Sequence, residues 1–193
     1  MLKRREFLKT SAFVATAAST GILNAQAQPT SAPARIQQIH FVLVDEELED
    51  SVAFARELTA RGAHAFSVQD DIGRLWFGEL GAAFKPGHAI AGLTSHSELL
   101  VSAEFARHVG ARIRFEGSHD CRGGDTLVHS LRLGSEDEPV NALLASADAA
   151  WPRALAAHMP TLSRCTVLRD ESCVTTTLRT ATHPGSLFSW IIA

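Results

Sequence analysis

Four short clusters in this 193-residue chain concentrate side chains that could act on a small molecule. They are Asp45-Glu46-Glu47, Asp70-Asp71, Thr94-Ser95-His96 and Ser118-His119-Asp120-Cys121. Three chemistries compete for them. Asp45, His96 and His119, with Asp120 nearby, offer carboxylate and imidazole to a divalent metal; imidazole suits Zn, Cu, Fe or Ni, and carboxylate shifts the choice towards harder ions. No His-Glu-x-x-His and no paired Cys-x-x-Cys backs that set. Asp45, Asp71, Thr94, Ser95 and His96 form a second, ligand-binding set. Its Thr94, Ser95 and Ser97 hydroxyls, with the N–H groups of a helix start, suit a carboxylate or phosphate. The plainer reading is a cap, because Ser95 and Glu98 make a Ser-x-x-Glu box. Cys121, flanked by His119 and Asp120, is a candidate nucleophile if its thiolate is favoured by His119 and Arg122. The plainer reading there is a polar turn over His119 to Asp125, whose Gly123-Gly124 permits unusual backbone angles.

These clusters matter only if the elements before them bring them together. Ile39 to Val44 is a nearly continuous apolar run, as in a strand buried on both faces. A helical pattern follows, with Leu48, Val52, Phe54, Ala55 and Leu58 on one face and Gly62 as its stop. Ala63 to Val68 reads as a second strand. Ile72 to Phe84 is partly helical, with Trp76 and Phe77 as its apolar bulk, and Lys85-Pro86-Gly87 breaks it. Ala89 to Leu93 is a third strand, and Leu99, Leu100, Ala103, Phe105 and Ala106 stripe the helix after it. Ala111 to Phe115 alternates as a fourth strand. Strands alternating with helices of this length predict right-handed βαβ units and a largely parallel sheet.

The second half reads differently. Leu127 to Leu133 alternates as a strand. Pro139 to Met159 is helical with a break at Trp151-Pro152, and Ser146 or Asp148 is placed to cap the second piece. Cys165 to Leu168, Cys173 to Arg179 and Leu187 to Ile192 are strand-like, and His183-Pro184-Gly185-Ser186 predicts a hairpin joining the last two. His64 and His129 fall inside strand patterns as packed or surface imidazoles, and Trp76, Trp151 and Trp190 as core bulk. The expected fold is a single α/β domain over 35–193. Its first half is a largely parallel sheet with helices; antiparallel strands are added in its C-terminal half. Open parallel sheets bind ligands outside the carboxyl ends of their strands. The four clusters would line that rim if the four front strands run one way.

The leader sets the compartment. Met1 to Lys9 carries Arg4-Arg5-Glu6-Phe7-Leu8-Lys9, a weakly apolar run follows to Leu23, and Ala25-Gln26-Ala27 fits a small-x-small cleavage site. This resembles a twin-arginine (Tat) export signal of bacteria. The resemblance covers residues 1–27 only; it implies the Tat translocase as a partner and the periplasm as the destination, after folding. An ordinary Sec leader is the competing reading. Spanning a bilayer takes about 20 predominantly apolar residues, so no permanent anchor is expected. Residues 28–34 read as a tether. Beyond them the chain resembles exported proteobacterial proteins in overall pattern only, which implies no mechanism.

The whole chain has 18 basic and 21 acidic residues. Loss of the leader removes four basic residues and one acidic and leaves a formal charge of −6. That balance argues against nucleic acid as a partner. Three cysteines, Cys121, Cys165 and Cys173, are an odd count, so one thiol stays free; Cys165 and Cys173 are close enough in sequence to be bridged, or all three are small buried residues. Neither Gly-x-Gly-x-x-Gly nor Gly-x-x-x-x-Gly-Lys-Ser/Thr occurs, which disfavours a dinucleotide or P-loop enzyme; the cofactor stays unknown. The expected protein is a soluble periplasmic binder of a small anionic or polar ligand, or an accessory to an exported redox or catabolic partner. The alternative is a small metal- or cysteine-dependent periplasmic enzyme.

Overall fold

Seven strands and six helices follow one another in the computed structural model, which describes residues 38–68, 71–121, 126–133, 138–162, 170–177 and 185–193. They are β1 (Phe41–Val44), α1 (Glu49–Ala60), β2 (His64–Ser67), α2 (Ile72–Phe77), α3 (Glu79–Ala83), β3 (Ile90–Thr94), α4 (His96–His108), β4 (Ile113–Cys121), β5 (Thr126–Leu133), α5 (Glu138–Ala147), α6 (Trp151–Leu162), β6 (Asp170–Thr177) and β7 (Ser186–Ile192). Residues 33–193 make one compact unit. The leader, the tether, Asp70, Arg122 to Asp125 and the Cys165–Leu168 segment lie outside the described residues, and the Cys165–Cys173 pairing with them. Cys121 is a free thiol.

The strands form one sheet in the order β2-β1-β3-β7-β4-β5-β6. β1 pairs parallel with β2 and β3, as the βαβ pattern predicts. From β3 onward every pairing is antiparallel. Because β7 opposes both β3 and β4, β4 points the same way as β1, β2 and β3 without touching them. The four front strands therefore end at one edge, with β7 wedged between the third and fourth.

Two expectations fail here. β4 does not stop at Phe115 but runs to Cys121, so His119 to Cys121 is strand rather than turn. Its Gly117, Ser118 and His119 bond sideways to both β5 and β7, which outweighs the turn propensity of a polar run. The predicted C-terminal hairpin is also absent: β6 pairs with β5, and β7 lies three strands away. The sequence of β7, Leu187-Phe188-Ser189-Trp190-Ile191-Ile192, is apolar on both faces, and a central slot buries both.

Alternation along the strands builds two cores. On one face Val42, Ala91, Phe115, Leu131 and Ile191 pack beneath Phe54 and Leu58 of α1, Leu144 of α5, and Trp151, Leu155 and Met159 of α6. On the other, Leu43, Phe66, Ile90, Trp190 and Ile192 meet Trp76, Leu80, Leu99 and Ala106 from α2, α3 and α4. Each such side chain fully withdrawn from water contributes about 2 kcal/mol. Trp76, Trp151 and Trp190 are core bulk, as expected; Phe77, the last residue of α2, is not, standing 84% exposed. Trp190 lies flat across Gly92, where a Cβ would come within 2.4 Å of its ring. The break before α6 is tighter than a cap. Ser146 donates to the Leu143 carbonyl, Asp148 takes φ +47°, and Pro152 sits in the first turn of the new helix. Among the described residues no helix is long and apolar enough to cross a membrane.

Candidate functional site

The carboxyl edge of β1, β2 and β3 is the place to look, because the chain leaves β1 towards one face and β3 towards the other. Loops that part in this way leave a crevice between them. α1 packs with the first core and α4 with the second, so the parting occurs between Asp45 and Ser95.

Most predicted rim residues are occupied by local structure. Asp45 accepts the Glu47 N–H at 3.0 Å through Oδ1, and its own N–H donates to Ser51 Oγ at 3.0 Å. Its carboxylate shapes the turn into α1. Thr94 is fully buried; its hydroxyl accepts the Trp190 indole N–H at 3.0 Å and donates to the Ser95 carbonyl at 3.3 Å. Ser95 is the N-cap of α4: its Oγ accepts the Glu98 N–H, and the Glu98 carboxylate accepts the Ser95 N–H at 2.8 Å. The box predicted from sequence is present, and it weighs against an anion there, since Glu98 puts a carboxylate where the anion would sit. His96 is exposed and lies 4.6 Å from the Phe188 ring.

Asp71 fares better. It caps α2, accepting from Gly73 N–H at 2.7 Å and Arg74 N–H at 3.3 Å, and it lines a cleft of about 430 Å³. Glu46 after β1, Ser67 at the end of β2, and Arg74 and Glu79 from α2 and α3 share the walls. A volume of this size falls in the range of small-molecule sites, about 300–1,000 Å³. Three carboxylates face one guanidinium, so the field favours a ligand carrying positive charge. Ser67, Arg74 and Glu79 escaped sequence reading; the available signal was their position just past a parallel strand.

The fourth cluster divides. Side chains alternate along β4, so His119 and Cys121 point to the α1–α6 side and Ser118 and Asp120 to the opposite side. His119 is fully buried and sits opposite His129 of β5. Their Nδ1 atoms are 2.7 Å apart, so one donates and the other accepts. His119 Nε2 lies 2.8 Å from Ser189 Oγ on β7. The Trp151 ring covers both imidazoles at 4.5 and 5.0 Å. A side chain at Gly117 would strike Ser189 and Leu131, so that glycine clears the space. Ser189, His119 and His129 thus make a hydroxyl–imidazole–imidazole chain, the order used by activated nucleophiles. All three are fully buried, and the Asp71 cleft does not reach them. Burial pushes the His129 pKa down to about 4, which keeps it neutral, and its Nε2 has no hydrogen-bond partner among the described residues.

The nucleophilic reading of Cys121 loses its electrostatic basis. Burial raises the thiol pKa, and the Asp50 and Asp120 carboxylates raise it further. A reactive cysteine needs the opposite field. His119 cannot be directed at that thiol while both its nitrogens engage His129 and Ser189. The metal set fails by geometry: Asp45, His96 and His119 end on a turn, on an exposed helix start and in the core. Among the described residues no three His, Cys, Asp or Glu side chains come together as a metal site.

Fold and rim together define a mixed α/β protein with an acidic cleft at the carboxyl ends of β1 and β2. Comparison of the chain with protein-family models, characterised proteins and solved structures finds no match.

Proposed function

We propose that this is an exported periplasmic protein, delivered through a Tat-type leader, that holds a small polar ligand bearing an amine or other cationic group. The cleft between Glu46, Ser67, Asp71, Arg74 and Glu79 carries this reading. It occupies the edge where open α/β sheets take ligands, and its net negative lining supports a cationic ligand over an anionic one. Arg74 supplies one donor for a carboxylate or hydroxyl on the same molecule. The accessory role is a second reading, supported by Phe77: an aromatic ring 84% exposed and stacked edge-on against Phe105 at 5.0 Å offers an apolar foothold to a partner.

Protein recovered from the periplasm should show saturable binding when titrated calorimetrically with small diamines and amino acids. Glu46→Gln and Glu79→Gln should each weaken an amine about fivefold, the scale of one exposed charge contact. Equal affinity in both variants, or no binding by any amine, would overturn the cleft assignment. Replacing both Arg4 and Arg5 with Lys should retain the protein in the cytoplasm; undiminished export would overturn the Tat assignment.

A further inference from the structure

The opposite, amino edge of the parallel strands carries a separate device built on His40 and His88. The two rings stack with centroids 4.5 Å apart and planes 22° from parallel. Each is fixed by a backbone donor: the Ala89 N–H donates to His40 Nδ1 at 3.1 Å, and the Lys85 N–H donates to His88 Nδ1 at 3.3 Å. Each neutral ring accepting at Nδ1 carries its own proton on Nε2. A second proton can enter only at Nδ1, where a backbone N–H already points. Charging either ring therefore breaks the bond that holds it, and charging both sets two cations face to face.

We propose that the His40–His88 stack is an acid-released latch that clips the Lys85–His88 turn over β1. His88 meets the Phe41 ring edge-on at 5.4 Å and the Phe84 ring at 6.5 Å, so release uncovers an aromatic patch at this edge. Lys85 in the turn is cationic, and His64 of β2, whose backbone N–H donates to the His40 carbonyl at 2.8 Å, is a third imidazole. The His40 pKa is lowered by burial and then by His88, against a backbone hydrogen bond with Gln38 that raises it; the balance disfavours the added proton. The latch is independent of the acidic cleft, which lies at the other end of the strands.

Amide exchange followed by NMR against pH tests it. Below the His40 transition, protection of the Ala89 and Lys85 amides should fall together by about tenfold per pH unit, the dependence expected for one proton. Protection of Leu43 in the core should fall less. In His88→Phe, which keeps a stacking ring and removes the charge, the His40 transition should move to higher pH. If Ala89 protection tracks Leu43 at every pH, or the His40 midpoint is the same in His88→Phe and His88→Gln as in the parent, no latch exists.

Discussion

Acidification should weaken this fold through His129. The imidazole is fully buried between strands, with His119 on its Nδ1, Trp151 over its face and nothing on its Nε2. An imidazolium there would lose its water and gain no counter-charge. Burial sets its folded pKa at about 4, against about 6.5 in an unfolded chain. Between those values the unfolded state binds the proton and the folded state does not. Stability from this group is therefore whole above pH 6.5, declines as pH falls towards 4, and levels off below. The gap amounts to about 3 kcal/mol at about 1.4 kcal/mol per unit. That is a large share of the roughly 5–15 kcal/mol that holds a domain together. Urea unfolding followed by tryptophan fluorescence, repeated from about pH 7 to about pH 4, measures it, with Trp151 as a local reporter. His129→Phe supplies the control. It keeps a ring in the slot but strands His119, at a cost of about 1–3 kcal/mol at neutral pH. The difference between parent and variant should shrink, then reverse, as pH falls. Parallel stability curves across this interval would refute the assignment of the acid sensitivity to His129.

Gly117→Ala should cost about 1–3 kcal/mol in the same assay, because the new methyl would lie 2.5 Å from Leu131 Cδ2 and 3.0 Å from Ser189 Oγ. Thr94→Val preserves shape but leaves the buried Trp190 N–H without its acceptor; a loss of about 1–3 kcal/mol is expected by chemical denaturation. Cys121 should react slowly with iodoacetamide at neutral pH, as read by intact mass. Asp120→Asn should speed it by removing one of the charges that raise the thiol pKa.

The front half of the fold was legible because its signals are local. Apolar runs at Ile39–Val44 and Ala89–Leu93, a Ser95–Glu98 box and glycine stops each declare an element within a few residues. The sheet order was not legible, since nothing within β7 names β3 and β4 as its neighbours. Its two apolar faces hinted at a central place, but the adjacent Pro184-Gly185 argued locally for a hairpin, and long-range pairing won. The same limit governs the site. The front strands do end at one edge, and Asp71 lies just past β2 there. His119 was misplaced because Ser118 to Cys121 reads as polar turn, whereas period-two alternation over Phe115, Gly117, His119 and Cys121 marks an inward row. His129 shows the same spacing from Leu127 and Leu131, so the pair was detectable as two inward imidazoles on neighbouring strands.

The wedge formed by β7 has a consequence for when this molecule can become itself. β3 and β4 both pair with it: Thr94 bonds a residue 96 positions later, and His119 one 70 positions later. Closing loops of that length delays folding, because the chain pays their entropy before the contacts return it. β7 is the last of the seven strands to leave the ribosome. Until it arrives the sheet is two halves with facing open edges, each a template for the wrong neighbour. Assembly of this sheet thus waits for β7, and a translocation route that waits for it would spare those edges an unfolded crossing.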